Sequence, residues 1–187
     1  YPQEVKAAMK EVVGVCQDAD LRKQAEEILG KVGERGDFSK VEAVRIFDGA
    51  SFAGWEGNLD VFRIEDGAIV GGTLKGNVPC SEYLCTKKEY ADFELRLMAK
   101  LIGTGNNAGV QFRSRRVPGD HRMIGYQADM GMHRGLNIWG SIYEEGRGRG
   151  FVAEANQTEL ARVFKPGDWN EYVIRCLGRR VKVWVNG

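Results

Sequence analysis

The spacing of the hydrophobic residues changes once along the chain, between residues 37 and 43. Before that point, from Val5 to Cys16 and again from Leu21 to Val32, apolar side chains recur every three or four residues, which is the period of one helical face. After it, most clearly from Phe93 to Leu101, they alternate with polar side chains, as in a strand that buries one face. The pattern therefore predicts a helical segment over residues 1–37 and a mainly β domain over residues 43–187.

The helical segment carries the signals of two helices joined as an αα-hairpin. Asp18 or Asp20 is placed to cap the second helix, and Gly33 is placed to end it, because short acceptor side chains start helices and glycine terminates them. This hairpin resembles the last unit of a HEAT-type helical repeat.

The β domain is predicted to contain many short strands separated by glycine-containing turns, which is typical of an antiparallel sandwich or barrel. The last predicted strand ends at Asn186-Gly187, and this dipeptide is the strongest short hairpin signal. We therefore expect the β domain to be incomplete at its C terminus, with at least one strand after Gly187. The predicted strands span residues 61–64, 68–71, 82–85, 93–101, 109–113, 125–129, 136–142, 169–176 and 181–185.

Composition narrows the classes of function. The 27 basic and 26 acidic residues give a net charge of +1, which argues against a nucleic-acid partner because such a partner needs a basic surface. No apolar run approaches the ~20 residues that span a bilayer. Four cysteines are too few for a disulfide scaffold, and spacing alone leaves open whether Cys80 and Cys85 pair. With only two histidines, no Cys/His cluster has the spacing of a zinc site.

Polar side chains occupy one face of two neighbouring predicted strands. Strand alternation puts Gln111 and Arg113 on one face, and Gln127 and Asp129 on one face of the next strand. A buried face is normally apolar, so amides and charges there cost stability unless they are used. We expect these four side chains to line one shared hollow whose amides and carboxylate bind sugar hydroxyls.

The following strand and loop are predicted to extend this surface. Alternation gives Asn137, Trp139, Ser141 and Tyr143 a common face, on which Trp139 or Tyr143 could stack against a pyranose ring. Glu144 and the residues after it would stand on the rim. The predicted substrate-binding residues are Gln111, Gln127, Trp139, Ser141, Glu145 and Arg147.

Eight segments in order resemble the 3-keto-disaccharide hydrolase domain family across residues 46–187. Each segment is a weak signal alone, but their common order makes the resemblance specific. They are IFDG with FAGW at 46–55, IEDGAIVG at 64–71, YLCTKKEY leading into DFEL at 83–95, GVQFRS at 109–114, GYQAD at 125–129, WGSIYEE at 139–145, GDWN at 167–170 and VWVNG at 183–187.

The resemblance implies a fold and an activity. The family fold is a concanavalin A-like jelly-roll β-sandwich, and its usual final strands are absent from these 187 residues. The implied activity is hydrolysis of glycosides or disaccharides oxidised at the sugar's C3, in bacterial sugar catabolism. The implied location is the periplasm or the extracellular space.

Cleavage of a keto-glycoside needs only a few catalytic groups. The C3 carbonyl acidifies the C2 proton, so a base can remove it, the C1 substituent can leave, and water can add back. We expect Asp129 or Glu144 to be the base, Arg113 to stabilise the enolate, and Tyr143 or Glu145 to assist the leaving group. A divalent metal bound by Asp129 and Glu144 could replace Arg113, and the sequence leaves this choice open.

Two other classes of function compete with this interpretation. Retaining glucanases place two carboxylates on one strand through Glu-x-Asp-x-x-Glu, a pattern absent here. A non-catalytic, lectin-like carbohydrate-binding module would use Trp139, Tyr143 and the amides without a reactive carboxylate. A structural adhesion domain would bind no sugar at all. The sequence does not predict an oligomeric state.

Overall fold

The computed structural model describes residues 41–103 and 107–187. The chain divides into two compact units, Tyr1–Val44 and Arg45–Gly187. The predicted helical hairpin over residues 1–37 lies outside the described residues, and its HEAT-like character stays a prediction. The second unit contains the β domain.

The β domain consists of short strands and one helix. In the order of the chain they are β1 (Trp55–Glu56), β2 (Phe62–Glu65), β3 (Ala68–Gly71), β4 (Cys85–Thr86), β5 (Phe93–Ala99), β6 (Asn107–Arg116), β7 (Met123–His133), β8 (Leu136–Asn137), β9 (Ile142–Glu145), β10 (Gly150–Ala153), α1 (Gln157–Val163), β11 (Asn170–Leu177) and β12 (Arg180–Val185).

Two antiparallel sheets form the body of the domain. The larger sheet has the order β10-β9-β7-β6, with β8 pairing onto β7, and the smaller sheet has the order β12-β11-β5. One hydrophobic core joins them, because it takes Phe112, Ala128 and Met130 from the larger sheet and Ile174 and Cys176 from the smaller. The prediction of a mainly β sandwich is therefore confirmed, and β1–β4 and β2–β3 add two short ribbons.

Strand β11 shows why the two sheets pack face to face. Its alternate residues Tyr172, Ile174 and Cys176 are fully buried, and on the neighbouring strand they lie opposite leucines and a phenylalanine of β5. Burying Ile174 alone contributes roughly 1.5–3 kcal/mol. The Tyr172 hydroxyl also donates to the carbonyl oxygen of Asp129 and accepts from the backbone N–H of Gly140 at 2.5 Å. Tyr172 therefore fixes the backbone of the larger sheet from the opposite sheet.

The predicted strand over residues 136–142 is wrong in one respect. It breaks into β8 and β9 around a turn in which the backbone N–H of Ser141 donates to the Ile138 carbonyl at 3.0 Å. The Asn137 side chain accepts from the N–H of Trp139 at 3.0 Å and so begins this turn. The alternation assumed for this segment is lost, and Trp139 does not share a face with Tyr143.

The helix α1 was not among the predicted elements. Its N-cap is Asn156, whose side chain accepts from the backbone N–H groups of Thr158 and Glu159. Glu159 also lies in the first helical turn, where a negative charge is favourable. Leu160 is the residue that anchors this short helix to the core.

Strand β12 is at an edge of the smaller sheet and pairs with β11. The Asn186 side chain accepts from the N–H of Glu171 at 2.9 Å and donates to the Val163 carbonyl and to Asn170. This side chain therefore ties the end of β12 to β11 and to the end of α1. A further strand after Gly187 stays a prediction.

The cysteines of the described part of the chain are free thiols. Cys80 and Cys85 are half-buried and unpaired with one another, and Cys176 lies in the core. Burial raises the pKa of Cys85, and it raises the pKa of Cys176 to about 11. Over residues 41–103 and 107–187, no helix has the length and apolar character needed to cross a membrane.

Candidate functional site

The surface of the larger sheet that points away from the core carries a row of polar side chains. Gln111 of β6 lies opposite Gln127 of β7, which lies opposite Tyr143 of β9. Asp129 follows two residues after Gln127, and Glu145 two residues after Tyr143, so both share their neighbour's face. We call Gln111, Gln127, Asp129, Tyr143 and Glu145 the polar face.

A directed chain of hydrogen bonds crosses the polar face and ends at Asp129. The Ser114 hydroxyl donates to Oε1 of Gln111 at 2.6 Å, and Nε2 of Gln111 donates to Oε1 of Gln127 at 3.1 Å. Nε2 of Gln127 then donates to Oδ1 of Asp129 at 2.5 Å. Every donor points toward the carboxylate, and aligned hydrogen bonds of this kind polarise one another. We call these four side chains the amide chain.

Asp129 is a buried carboxylate with a shifted ionisation. Its side chain is 3% exposed, and its Oδ2 accepts no hydrogen bond from the described residues. Burial, opposed by the Gln127 hydrogen bond and reinforced by nearby Glu145, raises the pKa of Asp129 to about 6. His133 is close enough to lower that pKa slightly. A carboxylate in this range can accept a proton near neutral pH, which is the property of a general base.

Two glycines create the room that the amide chain occupies. A Cβ on Gly109, opposite Asp129, would lie 2.5 Å from Cγ of Gln127. A Cβ on Gly125, opposite Glu145, would lie 2.0 Å from Oγ of Ser114. Both distances are far inside normal contact, so any larger residue would displace the chain.

Three aromatic side chains frame the polar face. His133 and Phe151 have ring centres 5.6 Å apart, and Phe151 packs edge-on against Tyr143 at 5.2 Å. At the other end, burial and the charge of Glu145 raise the pKa of Tyr83. The sequence interpretation missed Ser114, Tyr83 and Phe151 as site residues. For Ser114 the only available signal was its place in the GVQFRS segment.

The prediction that Arg113 shares a face with Gln111 is wrong. The pairing of β6 with β7 shifts register after Phe112, and Arg113 has a positive φ of 49°, which together make a β-bulge that redirects the side chain. Its guanidinium donates to the carbonyl oxygens of Gly178 and Ala91 and pairs with Asp92 at 3.1 Å. Arg113 therefore ties loops of the smaller sheet together, and Ser114 takes the position beside Gln111.

Glu144 and Arg147 also lie apart from the polar face. Glu144 is paired across β9 and β7 with Tyr126, which packs toward the core, so Glu144 and Asp129 project from opposite faces of the sheet. Arg147 Nε lies 3.1 Å from Oε1 of Glu144, and the Arg147 guanidinium lies 5.3 Å from the Tyr126 ring centre. The prediction that Glu144 and Arg147 stand on the rim of the hollow, with Glu144 as an alternative base, is therefore wrong.

Trp139 and Ser141 differ from their predicted substrate-binding placement. Trp139 is 3% exposed, and its ring packs on Phe164 at 5.1 Å and on Tyr172 at 5.6 Å, so it is a core residue and cannot stack on a sugar. Ser141 is buried, and its Oγ accepts from the N–H of Ala155 at 3.0 Å. It contributes to a pocket beside the polar face.

The structure also bears on the suggested metal ligands. Asp129 and Glu144 cannot hold the same ion, because the sheet separates their side chains. Within the described ranges, no group of three or more His, Cys, Asp or Glu side chains could hold a metal ion. The residues on the polar face are instead suited to proton transfer and to hydrogen bonding with hydroxyl groups.

Comparisons with known proteins agree with this architecture. The fold is similar to the crystal structure of "a putative glycosyl hydrolase" from Parabacteroides distasonis, with a TM-score of 0.53 and 23% sequence identity over 77% of this chain and 69% of that one. No curated protein sequence matches this chain significantly. The sequence profile of the 3-keto-alpha-glucoside-1,2-lyase-like domain matches residues 42–187. The chain therefore belongs to the 3-keto-alpha-glucoside-1,2-lyase-like domain family.

Proposed function

We propose that this protein cleaves glycosides or disaccharides that are oxidised at C3, with Asp129 as the base that removes the C2 proton. The observation that carries the proposal is the buried Asp129 carboxylate at the end of the amide chain, with its pKa raised to about 6. Membership of the keto-glucoside lyase-like family supports the substrate class.

The environment of Asp129 suits its role as base. At neutral pH a carboxylate with a pKa of about 6 is mostly ionised, yet it binds a proton far more readily than an exposed aspartate does. Gln127 holds Oδ1 at 2.5 Å, which leaves Oδ2 to take the C2 proton. Tyr172 fixes the backbone carbonyl of the same residue, so the carboxylate starts from a defined position.

The proposed reaction balances without an added oxidant or reductant. Oδ2 of Asp129 takes the C2 proton, and the electron pair moves onto the C3 oxygen as an enolate. The oxygen pair then re-forms the C3 carbonyl, the C2–C3 pair moves to form the C1–C2 double bond, and the bond from C1 to the leaving oxygen breaks as that oxygen takes a proton from a neighbouring acid. Water adds across the double bond: its oxygen bonds to C1, Asp129 returns its proton to C2, and the proton that water loses restores the acid. The products are a 3-keto sugar and the free alcohol.

Other side chains on and around the polar face are suited to the remaining steps. His133, four residues after Asp129 on the same face of β7, replaces Arg113 as the candidate donor to the enolate oxygen. Tyr143 and Glu145 remain the candidates for assisting the leaving group, as neighbours on one face of β9. Tyr83 is a further candidate hydrogen-bond donor to the substrate, because its raised pKa keeps its phenol protonated. Gln111 offers hydrogen bonds to sugar hydroxyls.

The test is turnover of a 3-keto-disaccharide by the purified chain, followed as release of the 3-keto monosaccharide. Asp129→Asn is expected to lower kcat by roughly 10²–10⁴-fold, the usual contribution of a general base. Asp66→Asn is the matched control, because Asp66 is an exposed aspartate with a positive φ at the β2–β3 turn, and it should keep normal turnover. For the unsubstituted protein, kcat/KM should rise with pH and level off above about 6.

Two outcomes would count against this proposal. Turnover by Asp129→Asn within threefold of the parent would remove Asp129 from the base role. Binding of the keto-disaccharide without any product would instead identify the domain as a carbohydrate-binding module. A thermal shift on addition of sugar separates that module from a domain that does not bind sugar at all.

A further inference from the structure

A small pocket lies at the end of the polar face nearest to His133. Its volume is about 210 Å³. The walls come from the end of β7, from β8 and from the segment between β10 and α1. The side chains that matter for its chemistry are His133, Arg134, Asn137, Ser141, Phe151 and Glu154.

This pocket adjoins Asp129 but does not include it. The backbone N–H of Asp129 donates to the Ser141 carbonyl at 2.9 Å, and the Asp129 carbonyl accepts from the N–H of Gly140 at 3.2 Å. Ser141 lines the pocket, whereas Asp129 does not. A group seated in the pocket is therefore a neighbour of the group that faces the Asp129 carboxylate.

The lining suits a neutral, hydroxyl-rich ring. The His133 and Phe151 rings, 5.6 Å apart, provide an apolar wall against which a sugar face can pack. Arg134 and Glu154 are exposed and form no ion pair or hydrogen bond with the rest of the described chain, so their donors and acceptors are available. Their charges are opposite, and the pocket therefore favours neither an anionic nor a cationic ligand.

The size of the pocket fits one ring. Its volume of about 210 Å³ is below the ~300 Å³ at which pockets for drug-sized ligands begin. Because the pocket is open to solvent on one side, one pyranose can occupy it while the rest of a disaccharide lies outside.

We infer that this pocket binds the sugar that departs from C1, while the oxidised ring lies over Asp129 on the polar face. The inference rests on the proposed function, because only cleavage makes one ring the leaving group. It assigns Arg134, Asn137 and Glu154 to recognition of that second ring and predicts that the enzyme prefers a disaccharide over a glycoside with a small alcohol.

The first experiment compares kcat/KM for a 3-keto-disaccharide and for methyl 3-keto-glucoside. The parent protein should favour the disaccharide by at least about tenfold, which corresponds to roughly 1.4 kcal/mol. Arg134→Gln with Glu154→Gln should lower the disaccharide value about tenfold and change the methyl glycoside value less than twofold. Arg162→Gln, in the last turn of α1 and outside the pocket, is the matched control and should change neither.

A second experiment separates failure of this inference from failure of the proposed function. NMR titrations of the parent and the double variant with trehalose and with glucose measure binding without chemistry. Trehalose should bind the parent more tightly than glucose, and the double variant should lose that advantage. Absence of turnover with this binding pattern intact would sink the proposed function alone. Equal kcat/KM values for the two keto substrates, or equal affinities for the two sugars, would overturn the pocket assignment.

Discussion

Asp129 and Glu144 are two buried carboxylates on neighbouring strands, and the groups that surround them differ in charge. Asp129 is 3% exposed and receives one amide hydrogen bond, with its pKa raised to about 6. Glu144 is 1% exposed and lies near two guanidinium groups, Arg147 Nε at 3.1 Å and Arg149 Nη1 at 3.6 Å. One carboxylate is surrounded by dipoles, and the other by full positive charges.

The difference shows that the partner, and not burial alone, decides what a buried carboxylate can do. A guanidinium compensates for lost hydration by the attraction of a full positive charge. An amide compensates less, so Asp129 remains close to its point of protonation. Among the described residues, no N–H group of Arg147 or Arg149 is aligned for a hydrogen bond with the Glu144 carboxylate. The two contacts are therefore ion pairs held by charge alone. Glu144 is therefore suited to structure, and Asp129 to proton transfer.

Removing the two arginines that lie near Glu144 should have the largest effect on the free energy of unfolding. The double variant Arg147→Ala with Arg149→Ala leaves a buried carboxylate without compensation and should cost about 3 kcal/mol, the lower end for breaking a buried pair, because both arginines are more than half exposed. Urea unfolding measures the change. Glu144→Gln is the control and should cost about 1 kcal/mol, since the freed arginines can turn to water. A larger loss for Glu144→Gln would reverse this assignment.

The stability contributed by Asp129 should depend on pH in the direction opposite to that of a salt-bridged carboxylate. The folded protein holds the Asp129 proton more tightly than the unfolded chain, with a pKa of about 6 against the ordinary 3.8. The favourable contribution is present below about pH 4 and is lost as the pH rises through 6. At 1.36 kcal/mol per pH unit the loss is roughly 3 kcal/mol at most.

Asp129→Asn should therefore gain stability over the parent as the pH rises from 4 to 7. The measurement is urea unfolding of both proteins at several pH values, since all other titrations are shared and cancel in the difference. A free-energy difference that stays constant over this range would show that the carboxylate is not poised as described.

The amide chain should have the smallest effect, on the pH dependence of turnover. Gln127→Met keeps the length of the side chain but removes the hydrogen bond that lowers the pKa of Asp129. The acid limb of kcat/KM should move upward by up to about one pH unit, or about 1.4 kcal/mol. Gln111→Met, one hydrogen bond farther away, should produce a smaller shift. Equal shifts for the two variants, or none, would show that the chain does not act on Asp129.

Much of the fold could be predicted from the sequence because period-two alternation and glycine turns are local signals. The predicted strand over residues 68–71 matches β3 (Ala68–Gly71), and the strand over 181–185 is one residue shorter than β12 (Arg180–Val185). Gln111, Gln127 and Asp129 share a face as alternation predicts. These agreements depend only on unbroken strand geometry.

The remaining errors come from breaks that alternation does not record. Arg113 adopts a positive φ that few residues other than glycine take, so an arginine at this position does not predict a β-bulge. The turn at 138–141 interrupts a segment whose polar and apolar order continues, which hid the burial of Trp139. The helix α1 had a readable signal in Asn156 followed by Glu159.

Gly109 and Gly125 have a consequence for how this domain tolerates mutation. Neither carries a functional group, yet each occupies space that the amide chain needs, with prospective Cβ contacts of 2.5 and 2.0 Å. In a saturation mutagenesis scan for activity, substitutions at both positions should be tolerated as poorly as substitutions of catalytic residues, although neither glycine takes part in the reaction. Intolerance of substitution at these positions would then reflect excluded volume rather than reactivity.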